Sequence, residues 1–221
     1  MPMFTKAAIS ILCLAACLAT SAKAEEKNAS LPLAKLFHKY DTYLKMASKE
    51  EPAFKPLYRV FPREGEAGVL EMSFTHNGKS VTFSTDEKGY IDYRPSQELL
   101  EANPVVTVDR PQNSMSLALT LGVLEPASTS YDMRALHDKV HTAWGQAKGL
   151  GGFMSILAPK HSNITANFGE SCPTVTWSIK AQGKQIAGGS ATGSVLIEFK
   201  DKVIRKADTL TFSCTPDALH L

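Results

Sequence analysis

Apolar residues recur every third or fourth position in one part of this chain and every second position in the part after it, and the pair of patterns occurs twice. Leu33, Leu36, Phe37, Tyr40, Leu44 and Ala47 have the three- and four-residue spacing of an amphipathic helix, predicted over about Leu33–Lys49. Ser30 stands where a cap would, Pro32 near the first turn, and Glu50-Glu51-Pro52 at the end. Leu70, Met72 and Phe74 then alternate with polar residues, the period of a strand with one buried face. His76-Asn77-Gly78-Lys79 predicts a hairpin, because Asn-Gly accepts the positive φ angles of a type I′ turn, and Ser80–Ser84 is the returning strand. Asp86-Glu87-Lys88-Gly89 turns into Tyr90–Tyr93. A short helical turn over Pro95–Ala102, capped by Ser96, precedes strands at Val105–Val108 and Met115–Leu121. Glu25–Ser30 reads as a flexible polar lead-in and Glu125–Ser130 as a linker.

The second occurrence follows the first closely. Leu136, Lys139, Thr142, Trp144 and Ala147 reproduce the spacing of Leu36, Lys39, Thr42, Leu44 and Ala47, with Asp132 as cap and Gly149-Leu150-Gly151-Gly152 as stop. Val175, Trp177, Ile179, Gly183, Lys184 and Ile186 repeat Leu70, Met72, Phe74, Gly78, Lys79 and Val81 at one constant offset. Allowing one deletion, Gly193, Val195, Leu210 and Phe212 answer Gly89, Ile91, Val106 and Val108. Each helix is followed by an apolar run ending in proline, Leu57–Pro62 and Met154–Pro159. Helix and strands recur together, which predicts a tandem duplication of the α+β class. The first copy spans 25–126 and the second 127–221, each an amphipathic helix followed by an antiparallel sheet or small sandwich of about four to five strands.

The second copy departs from the first in two places. It gains Ile164–Phe168, which alternates and predicts a strand, and it has no evident counterpart of Met115–Leu121. The edge this omission leaves would invite aggregation unless covered, so the copies are expected to pack together, one shielding the other. Gly188-Gly189-Ser190-Ala191-Thr192-Gly193 lacks the Gly-Lys-Ser/Thr of a phosphate loop and reads as a hairpin turn. Trp144 and Trp177 fall at apolar positions and are expected in the core. The Asp86–Gly89 turn and the strand after it resemble the turns of transthyretin-like and immunoglobulin-like sandwich modules, over too short a stretch to assign a family.

Composition narrows the class. With 43% hydrophobic and 21% charged residues among 221, the chain is rich enough in apolar side chains to build a core. Lys6 and Lys23 in the first 24 residues, which hold no acid, account for the whole formal charge of +2. The remainder is neutral and without basic clusters, which leaves no electrostatic footprint for nucleic acid. Residues 1–24 have the layout of an export signal: Lys6, an apolar run from Ala7 to Thr20, and an Ala22-Lys23-Ala24 cleavage site. Leu14-Ala15-Ala16-Cys17 resembles a bacterial lipobox, so the alternative to a free periplasmic or secreted protein starting at Glu25 is a lipid anchor at Cys17. No other segment is apolar enough to span a membrane. After cleavage at Ala24, Cys172 and Cys214 are the cysteines left, and a pair of cysteines in an exported protein is expected to form a disulfide, worth roughly 4 kcal/mol on chain-entropy grounds.

One constellation points to catalysis. His137 and His141 lie four apart on one helix face and could share a zinc ion. Asp138 stands where the H-E-x-x-H pattern has glutamate, and only His161 and Glu170 offer a nearby third ligand. Flanking Leu136, Val140 and Trp144, the two histidines better suit the half-exposed borders of an apolar stripe. No catalytic residue, cofactor or metal is therefore assigned. The leading expectation is an exported, non-catalytic binding or structural module of the cell envelope, with an envelope protein or small ligand as partner, an inhibitor of a secreted enzyme being one form of it. A zinc-dependent hydrolase using His137 and His141 is the alternative.

Overall fold

Where the sequence alternates, strands form, and where its period lengthens, helices form. The computed structural model describes residues 28–65, 68–111, 114–150, 163–199 and 202–221. In chain order the first part comprises β1 (Asn28–Pro32), α1 (Leu33–Leu36), α2 (Tyr40–Ala47), β2 (Phe54–Pro62), β3 (Glu71–His76), β4 (Lys79–Ser84), α3 (Gln97–Ala102), β5 (Val105–Pro111) and β6 (Met115–Val123). The second comprises β7 (Ser130–Asp132), α4 (Met133–Gly149), β8 (Asn163–Asn167), β9 (Thr174–Ala181), β10 (Lys184–Thr192), β11 (Ser194–Glu198), α5 (Lys202–Arg205), β12 (Thr209–Phe212) and β13 (Ala218–His220). The fold is thus mixed α+β and mostly antiparallel sheet.

The strands make three sheets. Two four-stranded sheets have the orders β1-β5-β3-β4 and β7-β12-β9-β10, and a five-stranded sheet, β11-β8-β13-β6-β2, draws strands from both parts of the chain. Each four-stranded sheet closes a sandwich against one end of the five-stranded sheet. Leu70, Met72, Phe74, Val106 and Val108 pack with Tyr58 and Val60 of β2 in one core. Val175, Ile179, Leu210 and Phe212 pack with Ile164, Ala166, Val195 and Leu219 in the other, which α4 enters through Met133, Leu136 and Val140. A third cluster joins Ala53, Phe54 and Leu121 to Ala143, Ala147 and Leu150 over the middle of the shared sheet.

Local signals are realised locally. The Asn77-Gly78 turn has φ of 50° and 73°, Ser96 Oγ accepts the Leu99 amide, and Asp132 Oδ1 accepts the Ala135 amide at 2.8 Å. Five expectations need correction. The helix expected over Leu33–Lys49 is broken at Lys39, whose φ is 67°. The break frees the His38 carbonyl, and the buried Tyr58 hydroxyl donates to it at 2.8 Å, while Phe37 packs edge-on to the Tyr58 ring. Ser30 caps nothing, because Asn28–Pro32 is a strand with Ser30 opposite Thr107. Gly188 and Gly189 form no turn but lie inside β10, opposite Ser178 and Trp177, and a Cβ at Gly188 would come 2.8 Å from the Trp177 carbonyl. The chain does not end without a further strand, since the short strand β13 follows β12 and pairs with β8 and, through His220 opposite Gly122, with β6. Trp177 is only partly buried, as is Trp144, whose Nε1 donates to the Asn163 carbonyl. The expected run Met154–Pro159 lies outside the described residues.

Gly89 offers a sharp test of the packing. Its φ is 86°, and an added Cβ would sit 2.3 Å from the Val60 carbonyl oxygen, whereas Gly78, with φ of 73°, faces open space. Gly78→Ala is expected to cost about 1 kcal/mol, the ordinary left-handed penalty. Gly89→Ala is expected to cost on the order of 3 kcal/mol, since backbone must also move. Urea denaturation of the two variants side by side checks the difference.

Candidate functional site

Strand parity gives the shared sheet two unlike faces. Phe54, Tyr58, Val60, Leu121, Ile164, Ala166 and Leu219 point into the cores. The opposite face carries Lys55, Leu57 and Arg59 on β2, Gly122 on β6, His220 on β13, and Thr165 and Asn167 on β8. Lys55, Gly122, His220, Thr165 and Leu196 fall in one cross-strand row, because each is the register partner of the next. Above this face opens a cleft of about 540 Å³ that both parts of the chain line. From the first part come Lys55, Leu57, Arg59 and the Asp86–Tyr90 turn. From the second come Asn167, Phe168, Gly169, Glu170, Asp217 and His220.

The cleft is held by specific contacts. Lys88 Nζ donates to Asp217 Oδ2 at 2.8 Å, an ion pair between residues far apart in the chain. That hydrogen bond raises the pKa of Lys88 above its ordinary value, with the Asp217 charge adding to it. The pair is exposed and contributes little to stability on its own. Asp217 is set by its amide, which donates to the Asn167 carbonyl at 2.8 Å, and by Gly169, where a Cβ would meet Asp217 Oδ2 at 2.7 Å. The Asn167 side-chain amide lies 2.9 Å from His220 Nδ1, and since an amide nitrogen only donates, Nδ1 accepts and the ring proton belongs on Nε2. Burial pushes the His220 pKa below its ordinary value.

Cys172 and Cys214 are bonded, with Cα atoms 6.6 Å apart and a sequence separation of 42. A disulfide belongs to an oxidising, non-cytoplasmic compartment. It also has a place in the cleft. Cys172 follows Gly169 and Glu170, its amide donating to the Gly169 carbonyl at 2.9 Å, and Cys214 precedes Asp217. The bridge therefore ties together the two loops that form one wall.

The histidine pair lies elsewhere. His137 and His141 stack on the outside of α4 with ring centroids 6.1 Å apart, and His137 packs edge-on to Phe199. His137 Nδ1 is 3.2 Å from Asp138 Oδ1. Among the described residues no group of three His, Cys, Asp or Glu side chains could hold a metal ion. Of the two third ligands considered, Glu170 lines the cleft and His161 lies outside the described residues, as does Cys17. The sequence reading missed Arg59, Lys88, Asp217 and His220. Lys55, Leu57 and Arg59 do show an outward-facing period, but nothing local to Asp217 or His220 marks them.

Comparison with known proteins finds no matching family model, curated protein or solved structure.

Two outcomes follow from this geometry. Reduction of the Cys172–Cys214 bridge is expected to speed amide exchange in 169–172 and 214–220 while the β3–β4 hairpin keeps its protection, as hydrogen-exchange mass spectrometry can measure. His220, with its folded pKa below the unfolded value near 6.5, binds its proton more readily in the unfolded chain. Its contribution is thus fully present above about pH 6.5 and is lost as pH falls below it. Between pH 7 and 5 the wild type should lose stability faster than His220→Gln in urea titrations.

Proposed function

We propose that this protein is a tandem duplication whose two copies, 25–126 and 127–221, together form a non-catalytic binding module of the cell envelope, exported behind the 1–24 leader. The duplication is supported by the matching orders of the outer sheets, since β1, β5, β3 and β4 correspond to β7, β12, β9 and β10. It is supported again by equivalent contacts. The Val60 amide bonds the Gly89 carbonyl as the Phe168 amide bonds the Gly193 carbonyl, and both glycines have positive φ. Ala118-Leu119-Thr120-Leu121 of β6 answers Ala218-Leu219-His220-Leu221, so β13 stands as the shortened counterpart of β6.

The observation that carries the binding reading is the cleft itself: it needs side chains from both copies and is fixed by an ion pair and a disulfide rather than by core packing. An envelope protein, including a secreted enzyme that the module would inhibit, or a small ligand is the partner this surface would serve. The disulfide supports an oxidising compartment, and no helix among the described residues is long and apolar enough to cross a membrane. Within such a compartment we place the protein in the soluble periplasm or outside the cell with Glu25 first, and a lipid on Cys17 is the other outcome of N-terminal analysis.

Cross-linking in intact envelope, with wild type and an Arg59→Gln/His220→Gln double variant compared, tests the reading. A discrete partner held by the wild type and lost by the folded variant is expected. A partner retained equally by both would remove the cleft from the interaction. Stoichiometric zinc in the purified protein, abolished by His137→Ala, would favour the hydrolase instead.

A further inference from the structure

Among the charged groups of the cleft, Arg59 is held rigidly and left without a counter-ion. Its Nε donates to the Lys88 carbonyl at 2.6 Å. Its guanidinium lies against two rings, 5.2 Å from the centroid of Phe61 and 5.7 Å from that of Tyr90. The backbone beneath it is equally fixed, since Arg59 and Tyr90 are bridge partners. No carboxylate among the described residues lies within salt-bridge distance of it, and its Nη atoms have no hydrogen-bond partner there. Of the neighbouring charges, Lys88 is paired with Asp217 and Asp86 Oδ1 accepts the Tyr90 amide at 2.7 Å, while Lys55 and Glu170 line the cleft without an ion pair among the described residues. A guanidinium fork stacked on aromatic rings, with its outer edge unspent, is preorganised to receive a planar oxyanion through two parallel hydrogen bonds.

The rest of the lining restricts which oxyanion. Leu57 lies between Lys55 and Arg59 on the same strand face, and Tyr90 adds ring surface, whereas the Phe168 ring is buried in the core against Phe212. Asp86, Glu170 and Asp217 offset Lys55, Arg59 and Lys88 in the lining, so the cleft has no surplus of positive charge to favour a multiply charged anion over a single carboxylate. His220 offers its Nε2 proton to an acceptor without adding charge in its neutral form.

We infer that the cleft binds a ligand carrying one oxyanion group joined to an apolar body, with Arg59 holding the oxyanion and Leu57 and Tyr90 receiving the apolar part. This deepens the binding reading above and rests on it.

The disulfide-bonded mature protein, titrated with hexanoate, acetate and inorganic phosphate, tests the inference through the NMR signals of the Arg59 Nε–H and the His220 ring. Hexanoate is expected to shift both signals saturably. Acetate should bind about fivefold more weakly, for want of the methylenes that the lining would cover, and phosphate no more tightly than acetate. Arg59→Gln should weaken hexanoate about tenfold, the loss of a charge-assisted pair. Arg63→Gln, outside the cleft, should leave it unchanged, both variants retaining a dispersed spectrum. No saturation up to about 50 mM, equal weakening in the two variants, or phosphate binding tightest would overturn the inference. If the double variant loses the envelope partner while hexanoate fails to bind the wild type, the oxyanion site falls and the binding reading stands. Loss of that partner from the double variant together with normal hexanoate binding by the wild type supports both.

Discussion

A strand inside a sheet must satisfy backbone groups on both its edges, and the architecture depends on how β13 meets that requirement. β13 has only three residues, yet it lies between β8 of its own part of the chain and β6 of the other. His220 pairs with Thr165 on one side and Gly122 on the other, and the Leu221 amide donates to the Leu121 carbonyl at 2.9 Å. Without β13 the shared sheet would be two separate hairpin-like pairs, each with an open edge. With it, the two sandwiches acquire a common wall. Gln146 strengthens the junction on the opposite face. Its side-chain amide accepts from the Ala53 amide and donates to the Glu51 carbonyl, so that one side chain of α4 satisfies the chain just before β2 much as a neighbouring strand would.

The cleft is a by-product of the same junction. Its floor is the outward face of the joined sheet, and Gly122 keeps that floor low where β6 and β13 meet. A side chain at Gly122 would collide with Leu57, whose Cδ1 would be 2.9 Å from the new Cβ. The walls come from loops that the cores do not hold, which is why they are secured by an exposed ion pair and a disulfide. Burial on the core side is nearly complete, with Phe54, Met133 and Val140 at 0% exposure, so mobility that function requires belongs to the walls.

What was legible in the sequence was whatever a short window determines. Asn77-Gly78 makes a hairpin because of the backbone angles those two residues accept, and Asp132 and Ser96 cap helices through their own oxygens. The strand at Asn163–Asn167 was visible because five residues suffice to show alternation. The break at Lys39 was not, because it depends on Tyr58, a residue of another element whose hydroxyl takes the His38 carbonyl. Gly188 and Gly189 look like turn residues until the Trp177 backbone opposite is known. β13 is too short to show a period, and its identity comes from its neighbours in space. The cleft was illegible for the same reason: Lys88 and Asp217 acquire a relation only once the two sandwiches share a wall.

The position of β13 also bears on how the molecule assembles. Its partner in β6 is separated from it by nearly half the chain, so the shared sheet is a contact of high sequence separation, and such contacts form slowly because a long loop must be closed first. The β3–β4 hairpin and α4 rest on neighbouring residues and can form early. During the interval the edges of β6 and β8 that β13 later occupies are unsatisfied, and Leu219 has not yet reached its core. The lifetime of that half-built sheet, rather than the stability of the finished one, sets the risk of misassembly during refolding from dilution.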